Sequence, residues 1–320
     1  AGQHWFAAGA STQQGEQASV IVMNPFAQEA VFDVVLFSSR PPLRDRELSD
    51  VLLGPGESVA IPLAKRLVDE AAIGAEVNAK VGRVAVATLG VSRGGGVRSI
   101  LGTTATSVTL DLPTAAGSGQ TTLEVTDPES RDAHFSATAW ASDGPSPAGG
   151  LIGQEHRASS AAAYPVTTSG ATVVSVSAQG GTGLFAALRS QGQSDDDAAT
   201  GGTAAPGPAW VVPPTVADQP ANPGLVVANP GATPVQVTLR LLPPGSDTVE
   251  RPTASITVPP SSTVAAPAAF LDQSPSASVL VTADGDVVAG GASTSGGVLG
   301  LSLYGLALGV EVPAGVSPTP

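Results

Sequence analysis

An Asn-Pro pair inside the densely apolar stretch "VIVMNPFAQEAVFDVVLF", residues 20 to 37, constrains this chain more than any other feature. Proline lacks a backbone N–H and holds φ fixed, so neither a helix nor a central strand runs through it. The same breaker stands at Asn24-Pro25, Asp127-Pro128 and Asn229-Pro230, 103 and 102 residues apart. Counting 8, 10 and 12 residues on from each reaches Phe32, Val34 and Leu36, then Phe135, Ala137 and Ala139, then Val237, Leu239 and Leu241. All nine are apolar, and a period of two marks a strand with one face in a core. A further proline follows 38 residues after each breaker, at Pro62, Pro165 and Pro267. Asn or Asp takes a turn corner with its side-chain acceptor while Pro pre-sets the next φ, so the breaker ends one strand and lets another begin.

Other marks repeat less completely. Trp5 and Trp210 each precede their breaker by 19 residues, while the middle stretch has only "VTLDLP" there. Later strands read as "GRVAVATLGVS", "TGLFAALRS" and "GDVVAGGAST". A last strand is expected in "GGGVRSILGTTATSVTLDLP" and "GGVLGLSLYGLALGVEVP", whereas "SQGQSDDDAATGGTAAPGP" reads as a flexible acidic linker in the middle stretch. One helix is expected from "PLAKRLVDEAA", with Pro62 at its first position and Leu63, Leu67 and Ala71 on one stripe. Short strands at regular intervals with turn signals between them predict an all-β chain of three tandem immunoglobulin-like β-sandwich units with a pseudo-threefold internal repeat. The units are expected over 1–105, 106–205, with the acidic linker at its end, and 206–315, leaving 316–320 as a tail.

Composition agrees with many strands and turns. The 320 residues include 38 Gly and 28 Pro, about a fifth of the chain, beside an ordinary 42% hydrophobic content. Only Lys65 and Lys80 stand beside 12 Arg, and the Ala, Gly, Pro and Val bias points to a GC-rich bacterial genome. A formal charge of −13 without a basic cluster argues against nucleic acid and against an anionic membrane surface. No cysteine exists, which excludes disulfides, thiolate metal sites and Cys nucleophiles. The longest nearly apolar stretch, Val298 to Val310, is too short to cross a bilayer as a helix, and the sequence reads as soluble. A start at Ala1 rather than Met reads as an upstream signal peptide, anchor or tag removed or left out.

The stretches "HWFAAGAST", "IVMNPFAQEAVFDVVLF" and "LGPGESVAIPL" resemble an uncharacterised family of actinobacterial exported or membrane-anchored proteins whose units carry a Trp-Phe-Ala start and an Asn-Pro turn. The resemblance implies an extracytoplasmic location, a signal anchor ahead of Ala1 and association with the cell envelope. It supplies no activity and no catalytic residue. The middle stretch departs from it, with Asp127 for Asn and no leading Trp.

The search for chemistry yields no catalytic and no metal residue, and it leaves the binding residues unknown. His4, His134 and His156 show no ligand spacing and are expected in solvent. Nucleophile-elbow and phosphate-loop patterns are missing, and Gly94–Gly96, Gly180-Gly181 and Gly296-Gly297 read as hairpin turns. Asp69-Glu70 reads as solvated charge, and Asp195-Asp196-Asp197 as linker rather than a calcium loop. Trp5 and Trp210 read as core plugs, and Trp140 as a packing slot matched by Phe37 and Leu242. The expectation is a non-enzymatic, extracytoplasmic structural or protein-interaction module of the bacterial cell envelope, without cofactor. Its partner would be an envelope protein or a cell-wall glycan, with no nucleic acid, and a membrane only through an anchor absent from this chain. The alternative is binding of cell-wall polysaccharide or glycolipid as an accessory to a glycosyltransferase, and a hydrolytic site between units is the third and weakest reading.

Overall fold

The computed structural model describes residues 1–92, 96–113, 120–167, 172–191, 197–203, 206–212, 224–242, 252–274, 277–292, 302–304 and 306–307. The protein is all-β, built from several antiparallel sheets. In the first third one sheet runs His4–Ala10, Ile73–Val81, Ala30–Phe37, Val51–Leu53, and the other Ser58–Pro62, Gln17–Met23, Ala85–Val91, Val97–Leu101. Both feed one core: Trp5, Phe32 and Val77 from the first sheet meet Val20, Val22 and Val86 from the second. This arrangement is β-sandwich-like.

The middle third orders its strands in the same sense. One sheet runs Gly144–Pro147, Ala133–Ala141, Val173–Gln179, Thr109–Pro113, with Gln154–His156 also paired to Ala133–Ala141. The other runs Ser160–Val166, Gln120–Asp127, Phe185–Gln191, Asp197–Gly201, and the two share the core of Leu110, Leu123, Phe135 and Leu188. In the last third a single 15-residue strand, Ser278–Ala292, serves both layers. Its first half pairs with Val235–Leu242 and Gly207–Val212, and its end pairs with Gly224–Asn229, joining everything into one eight-stranded sheet.

The period of two did decide which faces are buried. Phe32, Val34 and Leu36, Phe135, Ala137 and Ala139, and Val237, Leu239 and Leu241 are all buried. Each larger side chain contributes about 1.5–3 kcal/mol to its core. Trp5 and Trp210 are core plugs as expected, and the indole N–H of each donates to two carbonyls: Gly2 and Val84 (3.2 and 2.8 Å), and Gly207 and Val287 (3.0 and 2.8 Å). Phe37 is buried, but Trp140 and Leu242 are only half-buried, so that slot is not filled alike.

Two expectations are corrected. The segment after Pro62 forms no helix: Leu67 N–H reaches Leu63 C=O at 2.9 Å, a single turn, and Asp69 at φ 60 ends it. Leu63 and Leu67 are buried all the same, so one turn suffices to seat the apolar pair that suggested a helical stripe. The only α-helix among the described residues is Ala268–Leu271, just after Pro267. The supposed acidic linker is in part a strand, since Asp197–Gly201 pairs with Phe185–Gln191 and buries Ala199 and Thr200. Small residues are used there because a second part of the chain packs on them: Ala199 belongs to an apolar cluster with Phe6, Phe37 and Ile100. Asp195 and Asp196 lie outside the described residues, as do Gly94, Gly95, Gly296, Gly297 and most of Val298–Val310.

That cluster ties the first and middle thirds together through Phe6, Val35, Phe37, Ile100, Phe185 and Ala187. Phe185 packs against Phe6 at 5.3 Å and edge-on to Phe37 at 6.4 Å. Gly74 makes the approach feasible, because a Cβ there would stand 2.4 Å from Thr126 Oγ1 and 2.9 Å from Phe185 Cζ. A smaller cluster, Val173 with Val226, Ala228 and Val288, joins the middle third to the last.

Candidate functional site

Two sets of buried polar groups stand out: the breaker corners and a charged cluster between the first and middle thirds. At the corners, Asn24 Oδ1 accepts from Phe26 N–H at 3.1 Å, and its Nδ2 donates toward the carbonyls of Gln28, Leu53 and Gly54 at 2.6, 3.2 and 3.0 Å. Asn229 repeats the set with Gly231 N–H at 2.8 Å and the carbonyls of Thr233, Val258 and Pro259 at 2.7, 3.1 and 3.1 Å. Both residues are fully buried. The side chain therefore does more than cap its own turn. It clasps the start of the next strand and a loop about thirty residues on, satisfying carbonyls that would otherwise be costly to bury.

Asp127 occupies the corresponding position and is also fully buried. Its Oδ1 accepts from Glu129 N–H at 2.7 Å, while Oδ2 has no hydrogen-bond partner. Burial pushes this carboxyl up to about 6, with the nearby Glu129 and Asp132 charges adding to the effect and the Glu129 N–H and Arg131 opposing it.

In the charged cluster, Glu16 receives Arg98 Nη2 at 2.5 Å and Arg189 Nη1 at 2.7 Å on each oxygen. Arg189 Nε also lies 3.6 Å from Glu124 Oε1. Arg98 and Glu124 are almost fully buried, and Arg189 and Glu16 keep only a sliver of exposure. Arg98 enters by crossing its register partner Gly90, where a Cβ would come within 2.6 Å of the guanidinium Nε. Two carboxylates and two guanidinium groups balance in formal charge, and their mutual contacts offset part of the cost of holding them away from water. Glu70 is a further buried carboxylate, held by Arg40 Nε at 2.9 Å and by Ser39 Oγ at 2.7 Å.

Two solvent assignments thus fall. Asp69 is exposed, but Glu70 is buried and bonded, because it lies where the chain turns back under Ser39. His4 and His134 are exposed, but His156 is buried. Its Nδ1 pairs with Tyr164 Oη at 2.8 Å and its Nε2 lies 3.2 Å from Ser160 O, with Phe135 packed edge-on at 6.2 Å. Burial lowers the His156 pKa and pushes the Tyr164 hydroxyl up to about 12, so at neutral pH this pair is an uncharged bridge between layers.

Among the described residues no group of three or more His, Cys, Asp or Glu side chains could hold a metal ion, and no helix is long and apolar enough to cross a membrane. Glu16, Arg98, Arg189, Glu70 and His156 bond to other side chains or to backbone, whereas Asp127 keeps one oxygen without a partner. These are the features of an all-β protein whose interior polar groups join its strands and layers. The chain belongs to a family of unknown function, DUF5719, whose sequence pattern matches residues 1–222. No curated protein and no solved structure matches it.

Proposed function

We propose that the chain is a non-enzymatic scaffold or protein-interaction module of the bacterial cell envelope, built as three immunoglobulin-like β-sandwich units over 1–105, 106–205 and 206–315. In this reading one sheet-forming pattern is written three times, and the protein is of actinobacterial, extracytoplasmic origin. The observation that carries the repeat is the bond-for-bond match of the Asn24 and Asn229 clasps at equal sequence offsets. Strand pairing supports it too: Asp127 faces Ser160 and Asn229 faces Ser262, each 33 residues on. The scaffold role draws on how the polar interior is spent. Glu16, Arg98, Arg189 and Glu70 are committed to joining segments, and two of the three Trp are core plugs rather than exposed platforms for sugar rings.

Crosslinking in the native envelope followed by mass spectrometry tests the role. Recovery of a protein partner is the expected result. Recovery of polysaccharide or glycolipid alone, with binding abolished at exposed aromatic positions, would replace this reading by the glycan-binding one. For the units, cutting the chain near residue 206 should leave a C-terminal piece that folds by itself, and failure to fold counts against independent units.

A further inference from the structure

The three corners pose the same electrostatic problem, and the middle one solves it differently from the two Asn corners. In the Asn corners an amide brings N–H groups to three carbonyls at offsets of 4, 29 and 30 residues. In the middle corner those offsets fall on Arg131, His156 and Arg157. The local frame is otherwise preserved. Ser160 Oγ donates to Arg157 O at 2.6 Å as Ser262 Oγ does to Pro259 O at 2.9 Å. Ser159 N–H reaches Glu129 O as Ser261 N–H reaches Gly231 O, and Ser159 and Ser261 share the left-handed φ of 50 and 49. An ionised carboxylate in such a frame offers two acceptors to a set of acceptors and no donor at all.

We propose that the middle corner is closed by a proton: Asp127 is held as the neutral acid in the intact corner, its Oδ2–H supplying the donor that the amide supplies at Asn24 and Asn229, so that the clasp loosens when the proton leaves. The fully buried, unpartnered Oδ2 beside an occupied Oδ1 is the geometric ground for this. The charged groups around it act in both directions. Glu129 and Asp132, on the loop after the strand, repel a further negative charge, while the Glu129 N–H and Arg131 favour it, and burial outweighs both. His156, on the short strand facing that loop, is kept neutral by its own burial and offers no compensating cation. The inference rests on this corner's bonds and holds whether or not the protein serves the envelope.

The sign follows from the raised carboxyl. Stability from this group is fully present below the ordinary Asp value of 3.8, is lost as pH rises through about 6, and levels off above it. A shift of that size changes the folding equilibrium constant on the order of a hundredfold. The experiment compares thermal unfolding of the full chain and Asp127→Asn between mildly acidic and mildly alkaline pH. The expected result is a wild-type midpoint that falls across pH 5 to 7.5 and a variant midpoint that is higher at neutral pH and lacks this component of the fall. Equal slopes overturn the proposal. Carbon NMR titration of the Asp127 carboxyl in the wild type gives a reading independent of any variant's folding: a midpoint near 6 is expected, and one at the ordinary Asp value overturns it. Calcium chloride at millimolar concentration should leave both proteins unchanged at neutral pH. Stabilisation of the wild type alone would mean that a cation rather than a proton closes the corner.

Discussion

Replacing Glu16 by Ala removes the single carboxylate that two buried guanidinium groups share, at 2.5 Å from Arg98 and 2.7 Å from Arg189. The four-charge cluster then goes from neutral to one net positive charge. At an effective dielectric of about 20, one such contact is worth about 4 kcal/mol of Coulomb energy. Part of that is returned because Glu16 is 10% exposed and water can enter the space it vacates. Arg98, at 1% exposure, cannot reach solvent without breaking the strand that carries it. Loss of one partner from a buried pair commonly costs about 3–5 kcal/mol, and that is the cost expected here. Urea unfolding followed by tryptophan fluorescence measures it, since Trp5 lies in the first core and Trp210 in the last. A companion variant separates charge from packing. Glu16→Leu with Arg98→Met removes one charge of each sign and leaves Arg189 facing Glu124, so most of the lost stability should return. A Glu16→Ala cost below about 1 kcal/mol, or a double variant no better than the single one, would refute the claim that charge balance keeps these thirds joined.

Asn229→Ala removes an amide that serves three carbonyls and one N–H, and should cost about 2–4 kcal/mol by chemical denaturation, with Asn24→Ala behaving alike. Gly74→Ala places a methyl group against Thr126 and Phe185 and should lower the unfolding midpoint by the equivalent of about 1–3 kcal/mol, whereas Gly56→Ala, with open space around its Cβ, should cost only the strain of its positive φ. Trp210→Phe keeps most of the apolar volume but strands the Gly207 and Val287 carbonyls, so a loss of about 1–3 kcal/mol is expected in the same assay.

Much of the strand layout was legible because it is written in local chemistry. A Pro must interrupt a strand, and alternation of apolar side chains must face one way, so Asn24-Pro25 and the Phe32, Val34, Leu36 series read correctly without coordinates. The helix after Pro62 misled because its evidence was a spacing of four, and a single turn seats Leu63 and Leu67 as well as three turns would. The strand Asp197–Gly201 was hidden because its residues are chosen for a neighbour packed on top of them, and small side chains alone look like a linker. The charged cluster did leave a trace. In "LFAALRSQ" Arg189 falls on the same strand face as Phe185 and Ala187, and in "VRSI" Arg98 shares a face with Ile100, so a cation stands where alternation calls for a buried residue.

What the sequence determined by itself was the alphabet of elements: where strands stop, which side of each is apolar, and that helix is scarce. Those follow from the backbone restrictions of Pro and Gly and from the two-residue period, both of which act within a few residues. Only the tertiary structure decided that Glu16 meets Arg189 across 173 positions of chain, that His156 and Glu70 lie inside, and that Asp127 stands in an amide's place with an oxygen left unpaired. Burial and partner are properties of the packed layers. The charge state of a side chain is set by the burial, charges and hydrogen bonds that packing places around it, and burial is not written in the neighbouring sequence.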